Sequence, residues 1–245
     1  MVKAPVDPEA THAAAVADAK RLMRLARVGA LATLDPNTGA PLTTLVGVAS
    51  DFDGAPLFLM STLARHTKHL TRDSRASLLL TGEPERGDPL NHPRVTLNGV
   101  IEKTVEPRTR GRYLKRNPKA KLYADFSDFA FFRLAIASVH FNGGFGRADA
   151  LTTGDILSSR EAEPDLIQAE PKLLDEINAR GDAFLAGVAG HRPSVRRVWR
   201  AIGLDPDGLD LACGALPARL TFFRPARDAA AWRALFERAS TGVAG

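Results

Sequence analysis

Two short turns, Asp35-Pro36-Asn37-Thr38-Gly39 and Asp51-Phe52-Asp53-Gly54, divide residues 30–61 into three apolar runs. Such turns are built from the residue types that reverse a chain within a few positions. Residues 30–34, 41–50 and 57–61 therefore read as a meander of strands, with Leu42, Val46 and Val48 of the second spaced by even numbers.

The remaining pattern extends this core. Asp7-Pro8 opens a helix to about residue 27, with Val16, Ala19, Leu22, Met23 and Ala26 at helical spacing. A short helix is expected at 64–73, strands at 76–81, 94–106 and 129–141, and a loop over 83–93. A basic helix starts at Pro107 and is interrupted at Pro118. Residues 158–170 are charged and proline-bearing and read as a linker. Beyond it come a helix over 172–189, strands at 196–204, 209–212 and 218–223, and a helix over 229–239. The expected fold class is α+β: an antiparallel split barrel with flanking helices over 1–157, then a small α+β domain over 171–245.

The chain has 245 residues, 44% hydrophobic and 25% charged, and no apolar run approaching the ~20 residues of a membrane-spanning helix. Cys213 is the only cysteine, which excludes an intrachain disulfide and a cysteine-built metal cage; a buried, inert thiol is expected. The N-terminus lacks the apolar core of a secretory signal, so a cytoplasmic protein with no membrane partner is expected. Net charge is +5, with seven basic residues and no acid between Arg108 and Lys121. A solvated helix is the simpler reading and an anion patch the alternative. No nucleic-acid motif accompanies it.

The chemistry concentrates where the third strand of the meander meets the short helix. Ser61, Thr62, Arg65, His66, Thr67 and Lys68 bring hydroxyls and cations together at a helix start, as a phosphate requires. A plain surface helix is the alternative. His66 and His69 are three apart, but no third ligand accompanies them for a metal site. His140, at the end of an apolar strand, is a candidate iron ligand set against an ordinary half-buried histidine.

This segment, with Ala30-Leu31-Ala32-Thr33-Leu34, Ser61-Thr62-Leu63-Ala64-Arg65-His66-Thr67 and Gly143-Gly144-Phe145-Gly146-Arg147-Ala148, resembles the flavin-binding split-barrel superfamily. The pyridoxamine 5′-phosphate oxidase-like proteins belong there, and the haem-utilisation, haem oxygenase-like branch is the most similar. Ile202 to Leu211 resembles a segment of the small domain fused to that branch. The resemblance implies FMN with its phosphate on Ser61, Thr62, Arg65, His66 and Thr67, Lys68 adjacent, and the flavin ring along Thr43 and Thr44. It also implies a homodimer with the ligand in a groove between barrels.

Three departures stand out, the first that no histidine follows His191, where haem-degrading relatives carry a late axial histidine. Arg219-Leu220-Thr221 replaces the Arg-Leu-His segment of the vitamin oxidase, and Glu176-Ile177-Asn178-Ala179-Arg180-Gly181 lacks the histidines usual in the small domain. Three readings follow. The first is an FMN-dependent oxidoreductase acting on a small molecule. The second is a haem-binding or haem-degrading protein, with Arg65 or Arg94 on the propionates. The third is a non-enzymatic ligand-sensing or partner-binding dimer.

Overall fold

The computed structural model describes residues 8–82, 88–144, 148–158, 164–194 and 196–241. Asp7, residues 83–87 of the expected loop, Phe145, Gly146 and Arg147 of the glycine motif, and residues 159–163 of the expected linker lie outside them. Two compact units divide the chain, Met1–Leu157 and Ser158–Gly245. Among the described residues no helix is long and apolar enough to cross a membrane.

The first unit contains α1 (Pro8–Leu25), β1 (Val28–Leu34), β2 (Pro41–Gly47), β3 (Ala49–Ser50), β4 (Pro56–Ser61), α2 (Arg65–Leu70), β5 (Arg75–Thr81), β6 (Arg94–Lys103), α3 (Pro107–Arg116), β7 (Phe129–Asn142), β8 (Ala148–Leu151) and α4 (Thr153–Ile156). The strands form one antiparallel sheet in the order β2-β1-β5-β6-β7-β4-β3, with β8 on β7. β2 and β4 stand five places apart in that order yet touch, so the sheet curls into a split barrel. Six long strands carry it, and β3 and β8 are short additions; β8 has no signal in the sequence.

Alternation explains the core. Leu31, Leu78, Leu97 and Val139 are cross-strand neighbours facing inward, and Ala15, Ala19, Leu22 and Met23 of α1 join the same cluster. β4 is buried on both faces: Phe58 and Met60 enter this core, while Leu57 and Leu59 pack with Tyr113, Leu114 and Ala120. A continuous apolar run is what such a strand requires. Opposite Asn98 and Gly99, Ala137 is the extra residue of a bulge in β7. A Cβ at Gly99 would lie 2.0 Å from the Ala135 carbonyl oxygen, so only glycine permits this approach.

The basic stretch is solvated on one side only, with Arg110, Lys115, Lys119 and Lys121 exposed as expected from its composition. Arg112 and Arg116 on α3 are buried, and Arg112 Nε donates to the Ser50 carbonyl at 3.0 Å. Arg108 and Arg133 both reach the buried carboxylate of Asp51 at 3.3 Å, and Arg133 also pairs with Asp53. Arg24 donates to the carbonyls of Asp51 and Phe52. Arg24, Arg108, Arg112 and Arg133 thus brace the β3–β4 turn and are not open to an anion.

The second unit contains α5 (Pro164–Asn178), α6 (Asp182–Val188), β9 (Arg200–Asp205), β10 (Gly208–Cys213), β11 (Leu216–Thr221) and α7 (Ala229–Thr241), with sheet order β11-β10-β9. The expected linker differs: residues 164–170 are helical and continue through Pro171. Leu166 is fully buried and Glu170 accepts a bond from Leu204 N, so packing overrides the composition. The expected helix over 172–189 breaks at Gly181, whose φ of +90° caps α6. Cys213 is half-buried rather than buried.

Candidate functional site

The elements that carry the expected binding residues converge at the free edge of β2, the end strand of the sheet. The β4–α2 turn lies beside it. Ser61 closes β4, and its hydroxyl donates to Asp128 Oδ2 at 2.5 Å. Ser61 Oγ also accepts from Leu63 N at 3.1 Å. Thr62 N donates to the Asp128 carbonyl at 2.7 Å, and Ala64 N to the Ser61 carbonyl at 3.1 Å. The amides of residues 62–64 are therefore consumed within the protein. The turn is closed by Asp128 rather than left open as an anion cradle.

α2 turns its residues three ways. Thr67 is fully buried and its hydroxyl has no hydrogen-bond partner, so it faces the barrel and not a ligand. His69 is buried, with Nδ1 3.2 Å from the Thr33 hydroxyl and Nε2 3.8 Å from Asp35 Oδ2. The amides of Asn37 and Thr38 accommodate the Asp35 carboxylate, and Asn37 most of all draws its pKa below the usual value. His66 reaches back to β2, with Nδ1 3.1 Å from Thr44 Oγ1. Burial, then the charge of His69, lowers the His66 pKa below 6.5. Arg65 and Lys68 remain exposed, and Arg65 lies 4.0 Å from Asp35. Thr62 is exposed as well.

The strand pleat separates the two β2 residues expected to line a flavin. Thr44 pairs with the inward-facing Leu31 and meets His66, whereas Thr43 points to the opposite, exposed face. That outer face is uncharged over two adjacent cross-strand rows. One runs Leu45, Ala30, Leu79, Thr96 and His140. The other runs Thr43, Ala32, Ser77, Asn98 and Ser138. Leu45 is 75% exposed, Leu79 36% and the neighbouring Val28 56%. Four strand spacings make each row about 19 Å long. Exposed apolar residues on a contiguous neutral sheet face mark a binding surface.

Of the expected ligands, the structure thus groups Thr44, Thr62, Arg65, His66 and Lys68 at one edge, places Thr43 and His140 on the adjoining sheet face, and takes Ser61 and Thr67 out of reach. Arg94 is also committed, donating to the carbonyls of Leu90 and His92. His66 and His69 point to different partners, and among the described residues no group of three His, Cys, Asp or Glu could hold a metal ion. Gly144 takes a φ of +111°, and a Cβ there would meet the Asn91 carbonyl oxygen at 2.6 Å. Asp128, Asp35 and Thr33 were missed by the sequence reading, because their partners lie 67, 34 and 36 positions away.

In the second unit, Arg219 is buried between Asp205 and Asp210, donating at 2.8 and 2.7 Å. It braces β9, β10 and β11 and is unavailable to a substrate.

Residues 8–157 match the family model described as CREG, beta-barrel. A protein of unknown function from Agrobacterium tumefaciens is 30% identical over the full length of both chains, with a TM-score of 0.80. A heme binding protein from Mycobacterium smegmatis is 27% identical with a TM-score of 0.56, over 98% of this chain and 99% of the other. The chloroplastic heme oxygenase HOZ of Arabidopsis thaliana is 35% identical over 113 residues, 45% of this chain. The match spans about a third of that curated relative, 34% of its length.

Proposed function

The chain belongs to the CREG, beta-barrel family, and on that premise we propose that its barrel unit binds haem at the free edge of β2 and the uncharged face beside it, as a homodimer. The observation that carries this reading is the neutral, partly apolar outer face of β2, β1 and β5, with Arg65 and Lys68 exposed on α2, which meets the inward side of β1 and β2. Haem is a flat apolar macrocycle with two carboxylates. Leu45, Leu79 and Thr43 would take its faces, and Arg65 and Lys68 its propionates. His140, the exposed histidine at the far end of the row of Leu45 and Leu79, would reach the iron only from the second copy across the groove. Haem, when bound, supplies an iron centre able to bind dioxygen. The full-length likeness to a heme binding protein supports the same reading.

A flavin reading is favoured by one observation, the contact between Thr44 and His66, which joins the two segments the resemblance assigns to the flavin ring and phosphate. It is weakened by the turn at Ser61, whose donors are already used.

Titration of the purified protein with haemin, followed by its absorption band, tests the proposal. Saturable binding at one haem per chain or per dimer is expected. The double variant Arg65→Ala/Lys68→Ala should weaken binding about tenfold or more, since each charge-assisted bond contributes ~1.5–3 kcal/mol. His140→Ala should shift the haem band. Saturable uptake of FMN with none of haemin would replace this reading by the flavin one.

A further inference from the structure

We propose that Asp128 is a specificity-determining residue, an internal carboxylate that keeps phosphomonoesters off the β4–α2 turn. This rests on the reading that the neighbouring surface binds an organic anion. Three observations converge on it. The Asp128 carboxylate holds the Ser61 hydroxyl at 2.5 Å, its carbonyl holds Thr62 N at 2.7 Å, and Ser61 Oγ in turn holds Leu63 N. The Ser61 hydroxyl and the amides of Thr62 and Leu63 are thus already used within the protein, the first two by Asp128. Asp128 is half-buried, and among the described residues no cation forms an ion pair with it. Its negative charge is therefore met by the Ser61 hydroxyl and not by an ion pair.

The electrostatic consequence depends on the ligand's charge. A phosphomonoester near neutral pH carries close to two negative charges, and each carboxylate of a dicarboxylate only one. Repulsion from Asp128 acts twice as strongly on the first. The phosphate also needs donors that Asp128 has already taken, whereas a carboxylate can be met by Arg65 and Lys68 alone, away from the turn. The same strand–turn–helix that could hold a nucleotide phosphate is thereby restricted to carboxylate ligands.

Asp128→Asn is the direct test, because the amide oxygen still accepts from Ser61 and only the charge is lost. Wild-type and variant proteins are titrated with FMN, riboflavin and haemin, with thermal unfolding as a check on folding. FMN affinity should rise at least tenfold in Asp128→Asn, riboflavin affinity should change less than twofold, and haemin affinity less than threefold. Inorganic phosphate should compete with FMN only in the variant. An FMN gain below twofold, an equal gain for riboflavin, or submicromolar FMN binding by the wild type would overturn the proposal. Failure of the wild type to bind haemin would count against the haem reading alone, since the FMN-to-riboflavin comparison still decides the role of Asp128. If Asp128→Asn unfolds, Ser61→Ala, which frees the carboxylate but keeps its charge, must leave FMN binding as weak as in wild type; a gain there overturns the proposal.

Discussion

His66 Nδ1 and Thr44 Oγ1 lie 3.1 Å apart, joining the exposed side of a six-residue helix to the end strand of the barrel. Burial and the nearby His69 both disfavour the imidazolium, so the folded state favours neutral His66. A group with a depressed folded pKa contributes stability above its unfolded value of 6.5 and loses it as pH falls through the folded value. The His66 ring protons, followed by NMR, should titrate with a midpoint below 6.5. Replacing His69 by Ala should move that midpoint upward, and a wild-type midpoint above 6.5 would contradict the assignment.

Thr67 carries a fully buried hydroxyl without a partner. An unsatisfied buried polar group costs ~1–3 kcal/mol, and valine keeps the shape without the hydroxyl. Thr67→Val should therefore stabilise the protein by about 1 kcal/mol in urea unfolding and leave haemin affinity unchanged. A loss of affinity instead would return Thr67 to the binding residues.

Leu45 projects from the centre of β2 on the neutral face, 75% exposed. If that face and its ligand lie between two barrels, Leu45→Asp sets a carboxylate into an apolar contact. The expected outcome is at least a tenfold weaker dimer by sedimentation velocity, with the monomer's thermal unfolding little changed. A wild type that sediments as a monomer at all concentrations would refute the dimer.

Arg219 neutralises Asp205 and Asp210 where all three are buried. Removing one partner leaves uncompensated charge, a loss of ~3–5 kcal/mol. Arg219→Ala should lower the stability of the second unit by that order in denaturant titration, while haemin binding by the barrel persists. An effect under 1 kcal/mol would show that water reaches the two carboxylates.

How the chain divides between sequence and structure follows from the range of each interaction. The even spacing of Leu42, Val46 and Val48 and the turns at Asp35 and Asp51 act over a few residues, so the antiparallel meander could be read directly. The fold family rested on motifs of the same local kind. Pairing partners across 67 positions leave no such trace. Asp128 on Ser61, His69 on Thr33 and Leu166 in its core were decided by the closed fold, which also buried Arg112 within a run that looked solvated. The expected ligands Thr43 and Thr44 show the limit most simply. The sequence placed both on one strand, and the pleat put their side chains on opposite faces once register with Leu31 fixed which face was inside. The sequence determined which groups are near one another along the chain. The tertiary structure decided which of them still have a hydrogen bond or a charge to offer a ligand, because that depends on what the rest of the fold has already taken.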